Sequence, residues 1–258
     1  MKDPLKRYRR RFRSWKNRVR LKGEIEGYEA AFASRGLAIP DDSAIRLALQ
    51  NRFPGSGPKP KGALSIIAVY HHYNWEEGAL KPALEKFGTV RSYDWFNAFD
   101  HSGREWRSSV KAEMNRDLTA RIGQWVAAER PDVIFTYLSG EIVFPETVQA
   151  LRSFGIPMIH FSLNDKEHFV GKVRGGLAFG SRDICRWFDL CWTSTEDALK
   201  KYCAEGALPV YLPEGANPEL HRPWEQEKSI DVSFVGQCYG NRSETIRRLR
   251  AEDIRVEA

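Results

Sequence analysis

The sequence lacks any long apolar run. None of its 258 residues belongs to an uninterrupted apolar stretch long enough to span a bilayer, so no membrane-spanning helix is predicted. The amino terminus also lacks the apolar segment and small-residue cleavage site of a secretory signal. We therefore expect a cytoplasmic protein, whose membrane contact would be peripheral, at the inner face of the cell membrane.

Cysteine is scarce, and its spacing is uninformative. The four cysteines, Cys185, Cys191, Cys203 and Cys238, form no C-x-x-C pair. We expect reduced thiols, some of them filling the core, rather than a disulfide framework. The six histidines add no metal-ligand spacing, so no metal site is predicted.

Motifs for bound cofactors are absent as well. GGLAFG (175–180) departs from G-x-G-x-x-G, and the lysine of GKV is not followed by Ser or Thr as a P-loop requires. No G-x-S-x-G occurs, which disfavours an α/β-hydrolase. The sequence predicts no resident cofactor.

Positive charge is concentrated in one short segment. Residues 1–22 contain 11 Lys and Arg and one Asp, whereas the other 236 residues contain 29 basic and 33 acidic residues. The net charge of +6 thus comes from the amino terminus. This argues against a nucleic-acid-binding surface on the folded part, and no nucleic-acid partner is expected.

The basic segment, LKRYRRRFRSWKNRVRLK, also carries an apolar stripe. Leu5, Tyr8, Phe12, Trp15 and Val19 are spaced by three and four residues, so a helix places them on one face. A basic helix with aromatic residues on its apolar face fits an anionic membrane surface, and we expect residues 5–22 to bind one. The alternatives are a solubilising or disordered arm and a nucleic-acid-binding arm.

The remaining chain alternates short apolar strands with amphipathic helices. One or two helices are predicted over residues 24–50, and three prolines and three glycines mark residues 54–62 as a linker. Beyond it, the pattern predicts an α/β fold with a Rossmann-like parallel sheet of five or six strands. The predicted strands lie within 63–73, 89–95, 131–140, 156–165, 189–195 and 208–217, and the predicted helices within 76–88, 108–130, 145–155 and 195–206.

Polar residues follow several of these strands, where open parallel sheets bind ligands. A sugar presents many hydroxyls that carboxylates and amides can bind or deprotonate. His160, inside a strand, is predicted to be a core histidine. The candidate binding residues are His72, Tyr73, Asn74, Ser139, Gly140 and Asn164, and the candidate catalytic carboxylates are Glu141 and Asp165.

The stretch FDLCWTSTEDALKKYCAEGALPVYLPEGANPELHRPW resembles the end of the N-terminal domain of retaining GT-B glycosyltransferases, of the kind in families 1 and 4. The residues that match are Asp189, Ser194, Gly206, Pro213, Gly215, Asn217 and Pro223. YHHYNW and IPMIHFSLND look like the subgroup related to the spore-maturation protein CgeB. DVSFVGQCYGNR looks like the first strand and donor-phosphate loop of the second GT-B domain.

The resemblance covers about residues 63–258 and implies three parts. Residues 1–62 would hold the basic helix, the helical segment and the linker, 63–223 the acceptor-side Rossmann-like domain, and 224–258 the start of the donor-side domain. The implied donor is a nucleotide-diphosphate sugar, and the acceptor is a glycan, lipid or protein. Glu214, Gly215 and Asn217 would bind substrate, and Gly236, Gly240, Asn241 and Arg242 the donor diphosphate.

In this family the nucleotide pocket and its acidic pair lie farther along the second domain. We therefore expect an incomplete second Rossmann unit and weak or no sugar transfer by residues 1–258. The alternative functions are a non-catalytic glycan- or protein-binding module and an unrelated nucleotide-binding α/β enzyme.

Overall fold

Six parallel strands form the central sheet of the computed structural model. Strands β1 to β8 comprise Leu64–Tyr70, Gly88–Asp94, Val133–Tyr137, Met158–Ser162, Val173–Arg174, Leu177–Ala178, Leu190–Thr193 and Pro209–Tyr211. The sheet order is β2-β1-β3-β4-β7-β8, and every neighbouring pair is parallel. The order reverses beside β1, as in doubly wound folds. The predicted α/β class and its Rossmann-like parallel sheet are confirmed.

The described residues are 4–72, 75–225, 227–236 and 240–257, with side chains described from Phe12 onward except that of Arg13. The chain divides into two compact units, unit 1 ending at Gly215 and unit 2 beginning at Ala216. Helices α1 to α8 comprise Pro4–Ser34, Asp42–Arg52, Lys81–Glu85, Lys111–Ala128, Pro145–Arg152, Asp165–His168, Leu199–Ala204 and Arg242–Ala251.

The central strands bury both faces. In β1, Ile67 and Val69 face a large core that α4, α5 and α7 help to build, whereas Ile66, Ala68 and Tyr70 face a smaller, aromatic-rich cluster. Because both faces are buried, the sequence of β1 is a continuous apolar run and does not alternate between apolar and polar residues. Helix α4 presents Met114, Leu118 and Ile122 to the larger core at spacings of four residues.

Helix α1 is longer than the sequence predicts. It runs without a break from the basic segment into residues predicted to form a separate helix. Its second half packs on α7, where Tyr28 donates a hydrogen bond to Glu205 at 2.7 Å and Arg35 donates to the carbonyl of Ala204. The sequence pattern cannot show this docking because its partners are more than 160 residues away.

Unit 2 contains the predicted β-α-β step. Strand β9 (Val232–Ser233) is followed by α8, and β10 (Val256–Glu257) returns parallel to β9. Residues 237–239, between β9 and α8 in the sequence, lie outside the described residues.

Candidate functional site

A cleft of about 1030 Å³ opens at the carboxyl ends of β3 and β4. Residues at the ends of these two strands and just after them line the cleft. They comprise Tyr137, Leu138, Ser139 and Glu141 from β3 and its following loop, and Ser162, Leu163 and Asn164 from β4 and its following loop. Because parallel strands end at one edge, two loops far apart in sequence supply one polar surface. The predicted residues Ser139, Glu141 and Asn164 therefore share one site.

A β-hairpin that the sequence analysis missed forms one wall of the cleft. Strands β5 and β6 are antiparallel and are joined by Gly175 and Gly176, which both have positive φ. Two such glycines fit a two-residue hairpin turn. The hairpin segment brings Lys172, Arg174 and Phe179 to the cleft. GGLAFG is thus a hairpin turn and strand, and the V-R-G-G-L-A pattern was the signal that could have revealed it.

Helix α1 forms part of another wall, through Asn17, Arg20 and Glu24. Arg20 Nη1 lies 2.9 Å from Glu24 Oε2, and Arg20 Nη2 donates to the carbonyl of Glu167. Glu24 Oε1 lies 2.8 Å from the ammonium group of Lys201, which is only 2% exposed. The basic amino-terminal helix is therefore joined to the site by a buried ion pair that sequence reasoning did not predict.

Basic side chains outnumber acidic ones around the cleft. Glu141 pairs with Arg107 at 3.3 Å, and Glu24 pairs with Arg20 and Lys201. The guanidinium carbons of Arg107 and Arg174 lie 5.3 and 6.0 Å from the centroid of the same Phe179 ring. Lys172 and Arg174 form no ion pair with any carboxylate among the described residues. The cleft therefore has an excess of positive charge.

Asp165 lies behind the cleft and does not line it. Its carboxylate is 1% exposed and accepts four hydrogen bonds from hydroxyl groups. The donors are Ser162 at 2.7 Å, Thr193 at 2.7 Å, Tyr202 at 2.8 Å and Ser181 at 3.4 Å. Burial raises the pKa of Asp165 above its ordinary value, although these hydroxyls lower it. This environment suits a positioning residue better than a group that touches substrate.

His160 extends the buried network. Its Nε2 lies 3.3 Å from Ser181 Oγ and its Nδ1 3.4 Å from Thr136 Oγ1, while its ring stacks on Phe188. Complete burial lowers the pKa of His160 to about 3, so the ring stays neutral at ordinary pH. The core role predicted for His160 agrees with this arrangement.

Gly140 allows the backbone of the loop after β3 to approach the hairpin closely. A Cβ atom there would lie 2.1 Å from the carbonyl oxygen of Ala178, and the Gly140 amide donates to the carbonyl of Gly180. The loop after β3 can therefore lie directly against the hairpin only because residue 140 lacks a side chain. The Gly140 carbonyl in turn accepts a hydrogen bond of 2.7 Å from Lys111, whose pKa burial lowers to about 8.

Three other predicted residues, His72, Glu214 and Gly215, are not among the residues that line this cleft. His72 follows β1, with its Nδ1 3.7 Å from Glu77. Glu214 accepts a hydrogen bond of 3.0 Å from Ser194, and Gly215 ends unit 1. The predicted residues Tyr73 and Asn74 lie outside the described residues.

Unit 2 contains the predicted substrate-binding residue Asn217 and the four residues predicted to bind the donor diphosphate. Asn217 accepts a hydrogen bond from the amide of Glu219, and Asn241 is the residue before α8. Gly240 has a positive φ of 63°. The Arg242 guanidinium lies 5.4 Å from the Phe234 ring, and a Cβ on Gly236 would be 3.6 Å from Arg242 Nη1. Gly236 and Arg242 are therefore neighbours across the predicted phosphate turn.

Two of the residues that match the GT-B pattern, Asp189 and Ser194, connect β7 to the neighbouring strand β4. Asp189 accepts a hydrogen bond of 2.9 Å from the Met158 amide and forms ion pairs with Arg52 and Arg152. Ser194 donates to the carbonyl of Leu163 at 2.9 Å. These contacts join β7 to β4 at both ends of the strands.

Within the described part of the chain, no cluster of His, Cys, Asp and Glu is arranged to hold a metal ion. Cys185, Cys191 and Cys203 are buried free thiols. No helix among the described residues has the length and apolarity needed to cross a bilayer.

Comparison with known proteins gives no relative for this chain. No protein-family model, no curated protein and no solved structure matches it. Geometry and chemistry must therefore support any assignment of function.

Proposed function

We propose that the protein is a glycosyltransferase-like protein whose unit 1 binds a saccharide acceptor in the cleft of β3 and β4. The observation that carries the proposal is the cleft itself, which holds carboxylate, amide and hydroxyl groups from two neighbouring strand ends. Several spatially fixed polar groups in a concave site suit a ligand with many hydroxyls. The GT-B resemblance adds a nucleotide-diphosphate sugar as the donor.

Glu141 is the carboxylate proposed to touch the acceptor. Its side chain is 47% exposed and lines the cleft, so it can accept a hydrogen bond from a sugar hydroxyl. Arg107 fixes its orientation through the 3.3 Å ion pair. Asp165, which was also predicted to be catalytic, is proposed to hold the Ser162 and Ser181 hydroxyls in place at the cleft.

The reaction proposed would join an acceptor oxygen to the anomeric carbon of the donor sugar and break the bond between that carbon and the diphosphate. The hydroxyl proton would pass to Glu141, and the nucleotide diphosphate would leave with the electron pair of the broken bond. Gly236, Gly240, Asn241 and Arg242 are proposed to contact the diphosphate, because Arg242 adds positive charge near the start of α8.

Calorimetric titration tests this proposal. The 258-residue protein would be titrated with oligosaccharides and with UDP- and GDP-sugars, and release of nucleotide diphosphate would be assayed in parallel. We expect Glu141→Gln to weaken saccharide binding about tenfold, since a charged acceptor is lost. Glu85→Gln, at an exposed position on α3, is the matched control. Failure of every saccharide to bind would refute the proposal.

The same assay distinguishes a non-catalytic glycan-binding module from an active glycosyltransferase. Saccharide binding without sugar transfer would favour a non-catalytic glycan-binding module. Transfer of sugar from a UDP- or GDP-sugar would establish an enzyme.

A second proposal concerns the first half of α1, which we infer binds an anionic membrane surface. Phe12, Trp15 and Val19 are each about half exposed. The Phe12 and Trp15 rings stack with centroids 5.9 Å apart. Surrounding Lys and Arg residues supply the attraction to anionic lipid, while the aromatic rings supply apolar area.

Vesicle sedimentation tests the membrane contact. Deletion of residues 1–22 is a poor test, because Asn17 and Arg20 line the cleft. The double variant Phe12→Ser/Trp15→Ser is better, and Leu47→Ser, at an exposed leucine on α2, is its control. We expect the double variant to lose most binding to vesicles containing phosphatidylserine, and unchanged binding would remove the membrane role.

A further inference from the structure

We propose that the ligand of the cleft in unit 1 carries an acidic group, a phosphate or a carboxylate, next to its sugar hydroxyls. This inference rests on the proposed function and specifies the class of ligand. It comes from the arrangement of charges around the cleft, which neither the predicted strand ends nor the family resemblance revealed.

The positive charge of the cleft that no described carboxylate compensates lies on the hairpin segment. Lys172 and Arg174 are exposed at the cleft, and neither is paired with a carboxylate among the described residues. Both carboxylates that line the cleft already have basic partners, Glu141 with Arg107 and Glu24 with Arg20 and Lys201. Their charge is thus compensated before Lys172 and Arg174 are counted, and the cleft attracts anions.

Two guanidinium groups lie beside the ring of Phe179. Arg107 and Arg174 both lie within about 6 Å of its ring centroid, so two like charges lie at one aromatic side chain. Arg107 is compensated by its 3.3 Å ion pair with Glu141, so the uncompensated positive charge beside this ring is that of Arg174. Guanidinium groups bind phosphate and carboxylate through paired, charge-assisted hydrogen bonds. A ligand anion beside Phe179 would therefore be held by Arg174 directly, with Lys172 on the same hairpin segment adding charge.

The polar residues at the strand ends define the rest of the ligand. Ser139, Ser162 and Asn164 line the same cleft, and they offer neutral hydroxyl and amide groups instead of further charge. A ligand that satisfies both regions needs hydroxyls at one end and an acidic group at the other. Phosphorylated sugars and uronic acids have this combination.

Matched pairs of neutral and acidic sugars test the inference by calorimetry. Glucose, mannose and galactose would be compared with their 6-phosphates, glucose would also be compared with glucuronic acid, and inorganic phosphate would be titrated alone. We expect at least one acidic sugar to bind about tenfold or more tightly than its neutral counterpart, with the advantage decreasing as salt increases. A preference for the phosphates or for glucuronic acid identifies which acidic group the cleft accepts.

The variant Lys172→Gln/Arg174→Gln is expected to remove most of this preference for the acidic sugar. Arg46→Gln/Lys61→Gln removes two exposed positive charges elsewhere in unit 1 and serves as the control. It is expected to preserve the preference. Equal loss of the preference in both double variants would show that net charge, and not the hairpin, causes it, and would overturn the inference.

The outcomes separate this inference from the function on which it rests. Equal binding of neutral and acidic sugars would overturn the acidic ligand and leave saccharide binding standing. Binding of inorganic phosphate as tightly as the sugar phosphates, with no binding of neutral sugars, would retain the anion site and overturn saccharide recognition. Absence of binding by every probe would overturn both.

Discussion

Glu141 follows β3 and Asp165 follows β4 at the same edge of the sheet, yet the two carboxylates have opposite environments. Asp165 is 1% exposed and accepts hydrogen bonds from four hydroxyls, whereas Glu141 faces the cleft with Arg107 as its ion-pair partner. A buried charge is tolerated only when it is fully hydrogen-bonded. Asp165 is thus held in a buried, hydrogen-bonded environment, whereas Glu141 is open to the cleft.

The largest expected effect is on Asp165. Asp165→Asn removes the charge and turns one oxygen into a donor among hydroxyls that now donate to it. We expect the free energy of unfolding to fall by about 3 kcal/mol, measured by urea denaturation. Glu141→Gln is the matched change on the neighbouring loop and should stay within about 0.5 kcal/mol of the parent. Equal effects of the two variants would contradict the contrast.

Gly140 tests whether the loop after β3 depends on contact with the hairpin. Gly140→Ala would place a methyl group against the Ala178 carbonyl, so the loop or the hairpin must move. We expect a loss of about 2 kcal/mol in unfolding free energy, together with weaker ligand binding. Gly78→Ala, where no atom lies within 4 Å of the added Cβ, is the control. A stable Gly140→Ala variant with normal binding would show that this close contact is unimportant.

Glu24, on helix α1, is a third carboxylate whose environment can be tested by its effect on stability. Glu24→Gln leaves the ammonium group of Lys201 buried without its charged partner. We expect this change to cost about 2 kcal/mol in chemical denaturation. Glu26→Gln affects only the exposed pair with Lys22, and its cost should be below about 0.5 kcal/mol. If Glu24→Gln costs no more than Glu26→Gln, then α1 is not anchored through Lys201.

The smallest expected effect is the pH dependence that His160 confers. The pKa of His160 is about 3 in the folded protein and near its ordinary value of 6.5 in the unfolded chain. As the pH falls below 6.5, only the unfolded chain binds the proton, so stability decreases towards low pH. The raised pKa of Asp165 acts in the opposite direction, because the folded state then binds its proton more readily.

Comparison with His160→Gln isolates the histidine. Between pH 6.5 and pH 5.5 we expect the parent protein to lose about 1 kcal/mol more than the variant, measured by denaturation at each pH. Parallel pH profiles for the two proteins would show that His160 does not stay neutral in the fold.

Local pattern was enough to predict much of the fold. Five of the six strands fall within a predicted segment, β2 begins one residue before its segment, and the β9-α8-β10 step follows the apolar and glycine pattern of its residues. The same reasoning predicted that Ser139, Glu141 and Asn164 would meet at one edge, because the ends of parallel strands converge.

The environment of each side chain was harder to predict. The burial of Asp165 depends on Ser181, Thr193 and Tyr202, which come from separate elements, so sequence spacing cannot show that they converge. The ion pair of Glu24 with Lys201 spans 177 residues. The hairpin that contains Arg174 was not predicted, because its two strands have only two residues each and are too short to show an alternating pattern.

Amide hydrogen exchange with saturating sugar phosphate tests most directly the claim that the cleft between β3 and β4 is the binding site. We predict slower exchange in residues 139–143 and 170–180 and no change in residues 76–85, which follow β1. Slower exchange confined to residues 76–85, or no change anywhere in unit 1 with ligand bound, would contradict it.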